Sequence, residues 1–334
     1  MRVLIVRVGA MGDVLHALPA VAALRKARPD WQIDWVVDPR WAPLLVDGAG
    51  NGPVVSSVHL AETKLWSKAP VSLVTLQSIR LLRKALRRER YDLVVDMQGT
   101  LRSGVIAWMA GAREVVGYSD PRERLAERFY SRMVDRVGVH VVEQGAALLC
   151  AACGVPLARL AGELPHEEWA DNWAKELVGD RRVCLLAAGA GWGAKRWPAE
   201  KFGDLAKVMK ARGFDVLVNA TRADDVLAAA VESASDGAAQ VVVCNVAGLV
   251  ALARRVSLLV GGDSGPMHLA AALGVPVVAL FGPTDPARNG PWGAGAKVVV
   301  RNAASVTSYK RVALDDGMQK ISVTEVAEAV SRVV

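Results

Sequence analysis

Residues 261–284 read GGDSGPMHLAAALGVPVVALFGPT, and this stretch predicts a strand end, a turn, a helix and a second strand in succession. Gly261 and Gly262 follow an apolar run and allow a tight turn where a side chain would clash. Pro266 suits the first turn of a helix, and Gly274 suits its end. The apolar run after Gly274 predicts the next buried strand. The pattern is a βαβ unit of the kind that builds parallel α/β sheets.

The start of this helix predicts an anion-binding site. Asp263 and Ser264 can cap the helix, and the exposed backbone N–H groups near Gly265 favour negative charge. His268 lies one turn later and can reach the same place. A capped βαβ unit without chemistry explains the same residues, so the pattern alone leaves both interpretations open. The Gly-Asp-Ser-Gly turn of chymotrypsin-like proteases is disfavoured, because that fold is all-β, whereas Ser264 precedes an Ala-rich helix.

A second strand–turn–helix pattern opens the chain. Residues 2–8 are an apolar strand, Gly9 and Gly12 bound a turn, and Asp13 lies at the start of the next helix. The two glycines lack the G-x-G-x-x-G spacing of a nicotinamide site. Two roles for the Asp13 carboxylate remain open on the residues alone. It stabilises the helix start through the helix dipole, or it is a base at the carboxyl edge of the sheet.

Strand and helix patterns alternate along the whole chain, which predicts an α/β fold with two Rossmann-like, doubly wound parallel sheets. A segment at 155–166 with Pro, Gly and weak periodicity separates the two halves. We therefore expect one domain over residues 1–160 and another over 167–320, facing each other across a cleft. A terminal helix over 322–333 either stays with the second domain or packs back on the first.

Polar residues in both halves are candidates for binding substrates. Gln98 and Gly99 follow a strand at its carboxyl end and can orient a sugar, and Arg102 can bind an acidic group. Lys64 and Lys68 lie in a predicted loop on the cleft side, which is the preferred contact for an anionic acceptor.

A glycine-rich loop at 189–195 follows a strand of the second half. The amides of Ala190 and Gly191 can cradle a phosphate, and Lys195 can neutralise its charge. A flexible turn with a surface lysine is the alternative.

The composition is that of a globular chain with an anionic partner: 52% of residues are hydrophobic, 22% are charged, and the formal net charge is +7. A basic helix over 71–90 is explained equally by a solvated surface and by a landing surface for a phosphorylated or membrane-bound molecule. No nucleic-acid module, secretory signal or membrane-spanning run is recognisable. We expect a cytoplasmic protein, with contact to a membrane surface as an option.

The cysteines do not indicate a metal or redox centre. Cys150 and Cys153 form a C-x-x-C pair, but the pair ends a predicted helix instead of following a strand, which indicates a structural role. No second pair and no histidine cluster supports zinc, so we expect no metal and no other cofactor.

Three separated motifs in the same order resemble those of the lipopolysaccharide heptosyltransferases, which are inverting, metal-independent GT-B enzymes of glycosyltransferase family 9. The motifs are MGDVLHALP at 11–19, KRWP at 195–198, and DSGPMHLAAA at 263–272 with its following LFGPT. The resemblance implies that Asp13 is the catalytic base and that Lys195, Ser264–Gly265 and His268 stabilise a leaving ADP. The family carries hydroxyl residues where this chain has Ala190 and Gly191, so only backbone amides are left at those two positions.

The resemblance also implies an acceptor-binding first domain and a donor-binding second domain. The implied reaction is transfer of L-glycero-D-manno-heptose from ADP-heptose to Kdo of the inner core, on Kdo2-lipid A, without a metal. The branch of the family that acts first, on Kdo, fits best. A later-acting heptosyltransferase, a GT-B nucleotide-sugar epimerase and a non-catalytic nucleotide-sugar- or lipid-binding protein remain as alternatives. The sequence does not indicate the oligomeric state.

Overall fold

A computed structural model describes residues 1–303 and 316–334. They form two compact units, Met1–Pro165 and His166–Val334. The change from one unit to the other falls in the segment at 155–166, which is neither helix nor strand. Each unit contains a parallel sheet with helices between successive strands, which confirms the expected α/β class with doubly wound sheets. Among the described residues, no helix combines the length and the apolar character needed to cross a bilayer.

The first unit alternates strands and helices from its first residues. Its strands are β1 (Arg2–Val6), β2 (Gln32–Val37), β3 (Ser57–Leu60), β4 (Leu93–Asp96), β5 (Glu114–Tyr118) and β6 (Arg132–Val134). Its α-helices are α1 (Met11–Ala27), α2 (Thr63–Lys68), α3 (Leu73–Glu89), α4 (Leu101–Met109) and α5 (Val141–Cys153), and two 3-10 segments span Pro39–Leu44 and Arg124–Phe129.

The sheet of the first unit has the strand order β3-β2-β1-β4-β5-β6, and all described pairings are parallel. This is the order of dinucleotide-binding sheets, in which the winding direction reverses between the first and fourth strands. Ligands of such sheets bind outside the carboxyl ends of the strands at that reversal. The residues that follow β1 and β4 therefore lie where the fold favours a site.

Two elements of the first unit differ from the sequence-based expectation. The segment with Lys64 and Lys68 was expected to be a loop but is helix α2, because the Trp66 side chain is only 9% exposed and anchors it in the core. Strand β6 was not predicted from the sequence. Its run, Arg132–Val134, has only three residues, which is too short to show the alternation of polar and apolar residues that identifies a strand.

The second unit repeats the same plan. Its strands are β7 (Val183–Ala187), β8 (Asp215–Ala220), β9 (Ala239–Val243), β10 (Leu258–Gly262), β11 (Val277–Phe281) and β12 (Lys297–Arg301). Its α-helices are α6 (Glu168–Val178), α7 (Ala199–Ala211), α8 (Val226–Ala234), α9 (Val246–Ala253), α10 (Gly265–Ala272), α11 (Pro286–Asn289), α12 (Asp316–Lys320) and α13 (Val323–Val330), with a 3-10 turn at Gly193–Lys195.

The strand order of the second sheet is β12-β11-β10-β7-β8-β9, again with parallel pairings. Counted from β7, this is the same winding as in the first unit, and the reversal lies between β7 and β10. The glycine-rich loop follows β7, and Asp263 follows β10. The shared carboxyl edge of these two central strands thus brings together the two segments that the sequence singled out.

Gly261 and Gly262 are the last residues of β10 and not a turn, so the expected reason for them needs correction. A Cβ at Gly261 would lie 2.9 Å from the Cβ of Ala187, and one at Gly262 would lie 2.7 Å from the carbonyl oxygen of Lys195. Both contacts are too short for a real side chain. The glycines therefore allow the end of β7 and the loop after it to pass directly against β10.

The terminal helix α13 belongs to the second unit. Val326, Ala327, Ala329 and Val330 are buried in its core, and α13 packs against α7 and β12. This packing uses the apolar face of the helix, which makes the helix part of the core of the second unit. The indole N–H of Trp197 also donates to the carbonyl of Ile321, 3.0 Å away, which ties the chain end to the glycine-rich loop region.

Candidate functional site

Asp13 lies at the carboxyl edge of β1, in the first turn of α1. Its Oδ2 accepts a hydrogen bond from the backbone N–H of Ala10 at 2.9 Å, which satisfies one amide at the helix start. Its Oδ1 accepts from the Arg7 guanidinium at 2.8 Å, and the side chain is 37% exposed. An ionised carboxylate has about four acceptor sites, so these two bonds leave Asp13 capacity to take a further proton donor. Its helix-capping role and a role as a base are compatible in this geometry.

Arg7 ties the ends of the two central strands together. Its guanidinium donates to the carbonyl of Met97, just after β4, as well as to Asp13. The Oε1 of Gln98 accepts the N–H of Val8 at 2.8 Å across the same boundary. The sequence-predicted residues Asp13 and Gln98 are thereby held at one edge of the sheet. Arg7 was missed because an arginine at the end of an apolar strand has no local signature.

A buried carboxylate holds the turn that contains Gln98 and Gly99. Asp96 is 0% exposed, and its Oδ1 accepts the backbone N–H groups of Gln98 at 2.9 Å and Gly99 at 3.1 Å. Its Oδ2 accepts hydroxyl hydrogens from Ser103 at 2.8 Å and Tyr130 at 2.7 Å. Burial raises the pKa of Asp96, although these hydrogen bonds oppose the rise. The buried Asp96 carboxylate therefore holds the backbone of the Gln98–Gly99 turn in position.

The other acceptor candidates lie on two neighbouring helices. Arg102, in the first turn of α4, donates from its guanidinium to the hydroxyl of Ser67 on α2 at 2.8 Å. Lys64 and Lys68 are on the same helix as Ser67 and are exposed. The structure thus brings Arg102 to the helix of the two lysines. Gln98 and Gly99 belong instead to the group at the β1 and β4 ends.

The second unit contains a buried ion cluster centred on Asp263. Its Oδ2 lies 2.6 Å from the Lys195 ammonium, and its Oδ1 lies 2.9 Å from Nε2 of His268. The exposed fractions of the side chains are 7% for Asp263, 16% for Lys195 and 5% for His268. Desolvation alone raises the pKa of Asp263, but His268 and Lys195 outweigh it and hold that pKa well below its usual range.

This cluster corrects the expected role of two residues. Neither Asp263 nor Ser264 caps α10 with its side chain, although Ser264 occupies the N-cap position. The Asp263 carboxylate is instead directed to Lys195 and His268. The Oγ of Ser264 is buried and has no hydrogen-bond partner among the described residues, and the same holds for Oγ1 of Thr284 after β11.

A buried hydroxyl without a partner costs free energy, so its presence indicates a ligand that completes its hydrogen bonding. Ser264 lies directly at the start of α10, where the backbone N–H groups from Gly265 onward favour an anion. Thr284 was quoted in the resemblance but not proposed as a site residue, because nothing local distinguishes it from an ordinary turn threonine.

The loop at 189–195 leaves open space over two of its glycines. A Cβ added at Gly189 or Gly191 would meet no atom within 4 Å. The carbonyl of Ala190 accepts from the Arg196 guanidinium at 3.3 Å, which holds the loop by its backbone. The Lys195 ammonium lies 4.5 Å from the ring centroid of Trp192, so the ring and Asp263 together fix its position.

The remaining sequence-based expectations concern metals and thiols. Within residues 1–303 and 316–334, no group of three or more His, Cys, Asp or Glu side chains is arranged to hold a metal ion. Cys150 and Cys153 are both free thiols at the end of α5, and burial raises the pKa of Cys153 to about 12. An unreactive thiol of this kind fits a structural role.

Comparison with known proteins gives consistent relatives. Residues 79–316 match the family described as glycosyltransferase family 9 (heptosyltransferase). The chain is 33% identical over 301 residues to lipopolysaccharide heptosyltransferase 1 of Pseudomonas aeruginosa, an alignment that covers 88% of this chain and 82% of that protein. It is 29% identical over 302 residues to the protein of the same name from Escherichia coli K12, covering 88% and 91%.

The fold agrees with these relatives. The solved structure of E. coli heptosyltransferase WaaC with ADP superposes with a TM-score of 0.83 at 24% sequence identity and covers all of both chains. Its likeness confirms the GT-B fold class for the present chain.

Proposed function

Because this chain belongs to glycosyltransferase family 9, the heptosyltransferases, we propose that it transfers L-glycero-D-manno-heptose from ADP-heptose to a Kdo residue of the lipopolysaccharide inner core. The observation that supports this most directly is the pair of sites at the two sheet reversals. One presents the partly exposed carboxylate of Asp13, and the other presents Lys195 and His268 on a buried Asp263. A base and an anion site are the two components that an inverting transfer needs.

On the acceptor side, Asp13 takes the proton of the attacking Kdo hydroxyl as that oxygen bonds to the anomeric carbon of the heptose. The bond from the anomeric carbon to the diphosphate oxygen breaks in the same displacement, which inverts the configuration and needs no covalent intermediate. Arg7 and the Ala10 amide hold the carboxylate in place. Gln98 and Gly99 orient the acceptor sugar, while Lys64, Lys68 and Arg102 neutralise its acidic groups.

On the donor side, the diphosphate lies against the start of α10. The Lys195 ammonium has three donor hydrogens, of which one serves Asp263, so the others are available to a phosphate oxygen. The Ser264 hydroxyl and the amides near Gly265 and in the loop with Ala190 and Gly191 supply neutral donors. These groups, with His268, stabilise the charge that develops on ADP as it leaves.

The proposal includes independence from metal ions, because the Lys195 ammonium and the start of α10 supply the positive potential that a divalent cation would otherwise provide. Turnover unchanged by EDTA supports this part, and activity restored only by an added divalent cation contradicts it. A cytoplasmic enzyme that acts at the inner-membrane surface is also part of the proposal, and cell fractionation tests it.

The central experiment measures ADP release from ADP-heptose with Kdo2-lipid A for Asp13→Asn. We expect kcat to fall by about 10²–10⁴-fold with donor affinity unchanged, because only the proton acceptor is lost. Glu143→Gln is a matched control, since Glu143 also occupies the third position of a helix and accepts its N-cap amide at 3.0 Å. Near-normal turnover of Asp13→Asn contradicts the assigned base.

The same assay separates the alternatives. An epimerase isomerises the sugar of the donor without an acceptor, and a non-catalytic binding protein releases no ADP when the acceptor is present. A later-acting heptosyltransferase releases ADP only with an acceptor that already contains heptose. Comparing Kdo2-lipid A with its heptosylated product as acceptors therefore decides the branch.

A further inference from the structure

Helix α3 of the first unit exposes a row of large apolar side chains to solvent. The exposed fractions are 87% for Val71, just before the helix, 84% for Leu73, 62% for Val74, 42% for Leu76 and 59% for Leu81. The inward face of the same helix packs against the protein, because Thr75, Leu82 and Leu86 are buried. A contiguous apolar patch of this kind is rare on a surface that faces only water, and it indicates an interaction site.

The apolar patch continues into a groove beside the helix. The groove has a volume of about 400 Å³, and its apolar lining includes Pro39, Leu60, Val74 and Leu81. Leu60, at the end of β3, is itself 48% exposed. The patch is therefore wider than one helix face and offers space for apolar chains to enter.

Basic residues continue the apolar row along the same outward stripe. Leu73 and Leu76 are followed at helical spacing by Arg80, Lys84 and Arg88, all of them exposed. The segment 63–90 contains eight Lys and Arg residues against the single acid Glu89, so its net charge of +7 equals that of the whole chain. Much of the positive charge of the protein is thus concentrated beside this exposed apolar patch.

An aromatic side chain extends this surface onto α4. Trp108 is 53% exposed, and the Arg83 guanidinium lies over its ring, 5.8 Å from the centroid. Tryptophan and arginine side chains have an apolar body and a polar end, and they favour the boundary between water and lipid headgroups. A protein partner would satisfy the apolar row, but it does not by itself explain this density of cations.

We infer that the outward face of α3, with Trp108, is a docking surface for an anionic lipid bilayer. The apolar side chains enter the headgroup boundary, and the cations contact acidic headgroups. We call this surface the α3 face; it comprises the residues Val71, Leu73, Val74, Leu76, Arg80, Leu81, Arg83, Lys84, Arg88 and Trp108. The inference rests on the part of the proposed function that places the chain at a membrane surface, and it assigns the face that contacts the lipid; it does not depend on heptose transfer.

The test is co-sedimentation of the full chain with vesicles that contain no lipopolysaccharide precursor. Vesicles of phosphatidylethanolamine and phosphatidylglycerol are compared with vesicles of phosphatidylcholine alone, at low and high salt. We expect clear binding to the anionic vesicles, and weaker binding at high salt because exposed charges are screened. Since no acceptor is present, the result is independent of whether the chain transfers heptose to Kdo.

Two sets of substitutions assign the binding to the α3 face. Arg80→Gln, Lys84→Gln and Arg88→Gln together should lower the vesicle partition coefficient by about tenfold to a hundredfold. Leu73→Ser, Val74→Ser and Leu76→Ser together should lower it by about tenfold or more. Thermal melting of each variant establishes that the fold is intact.

Matched controls change the same chemistry elsewhere on the surface. Lys175→Gln, Arg288→Gln and Arg332→Gln remove the same net charge from exposed positions of the second unit. Val137→Ser, Val139→Ser and Val226→Ser remove apolar residues that are 61%, 66% and 83% exposed.

The inference is overturned if the chain shows no preference for anionic vesicles, or if the controls lose as much binding as the α3-face variants. It is also overturned if the wild-type chain self-associates without lipid and the α3-face variants are monomeric, while neither the wild-type chain nor the variants bind vesicles. The face would then join two copies of the chain.

Discussion

Replacing Asp263 by asparagine tests whether the cluster in the second unit is a buried electrostatic centre. The asparagine has the same shape but no charge, and only one of its two terminal atoms is an acceptor oxygen, so it cannot accept from Lys195 and His268 through separate oxygens as Asp263 does. Asp263 and His268 are almost completely buried, and the two contacts are 2.6 Å and 2.9 Å long. Removing one partner of a buried pair costs about 3–5 kcal/mol, because the remaining charge is left without compensation. Since Lys195 keeps some exposure, we expect about 3 kcal/mol.

A comparable pair on the surface of the same unit provides the control. Asp224 lies 3.0 Å from Arg222, but both side chains are more than 70% exposed. Exposed pairs of this kind contribute about 0–1 kcal/mol, so Asp224→Asn should be almost neutral. The contact lengths in the two pairs are similar, so the comparison isolates the effect of burial.

The assay is thermal melting of the wild-type chain, Asp263→Asn and Asp224→Asn, together with calorimetric titration of ADP. A loss of about 3 kcal/mol lowers the Tm of a unit of this size by about 6–12 °C. Adding Lys195→Met to Asp263→Asn removes the uncompensated ammonium, and the double variant should recover part of the loss. The reasoning is refuted if Asp263→Asn melts with the wild type, or if the two substitutions show no coupling.

Three further predictions concern the second unit. Ser264→Ala should leave the Tm unchanged or slightly raised, because Oγ has no partner among the described residues, while ADP affinity should fall by about fivefold to tenfold. Equal ADP affinity of the variant and the wild type in titration calorimetry would show that the hydroxyl does not bind the donor. The folded-state pKa of Asp263 lies below its unfolded value of about 3.9, so its contribution to stability should be constant from neutral pH to about pH 5 and decline below about pH 4. The difference in unfolding free energy between wild type and Asp263→Asn should therefore shrink below about pH 4, and a difference independent of pH contradicts the assignment. Val326→Ala, at a position that is 0% exposed, should cost about 2 kcal/mol in urea unfolding because α13 is core to the second unit, whereas a surface helix would lose almost nothing.

Most of the fold follows from local patterns. Apolar runs of four to six residues alternate with amphipathic segments, and Gly and Pro residues mark the boundaries, so the two doubly wound halves were predictable. The failures were short elements. Helix α2 was expected to be a loop because its six residues are too few to show a period, and only the burial of Trp66 reveals it.

The candidate residues were also predictable in part, but their relationships were not. Asp13, Lys195, Asp263 and His268 stand at the carboxyl ends of predicted strands, where α/β sheets bind ligands. The partners of these residues are remote in sequence: Lys195 and Asp263 are 68 positions apart, and Val8 and Gln98 are 90 apart. For that reason the capping role expected for Asp263 was wrong, and Arg7, which donates to the carbonyl of Met97 90 positions away, was missed.

The amino-acid sequence alone therefore determined most of the strands and helices, and which residue types stand at their ends, because both depend on local periodicity and turn chemistry. The tertiary structure alone decided which strand ends are neighbours, since that depends on the strand order of each sheet. It also decided which side chains are covered. Helical spacing places Leu73 and Leu82 on opposite faces of α3, but only the packed unit shows that Leu82 is buried and Leu73 is left for a partner.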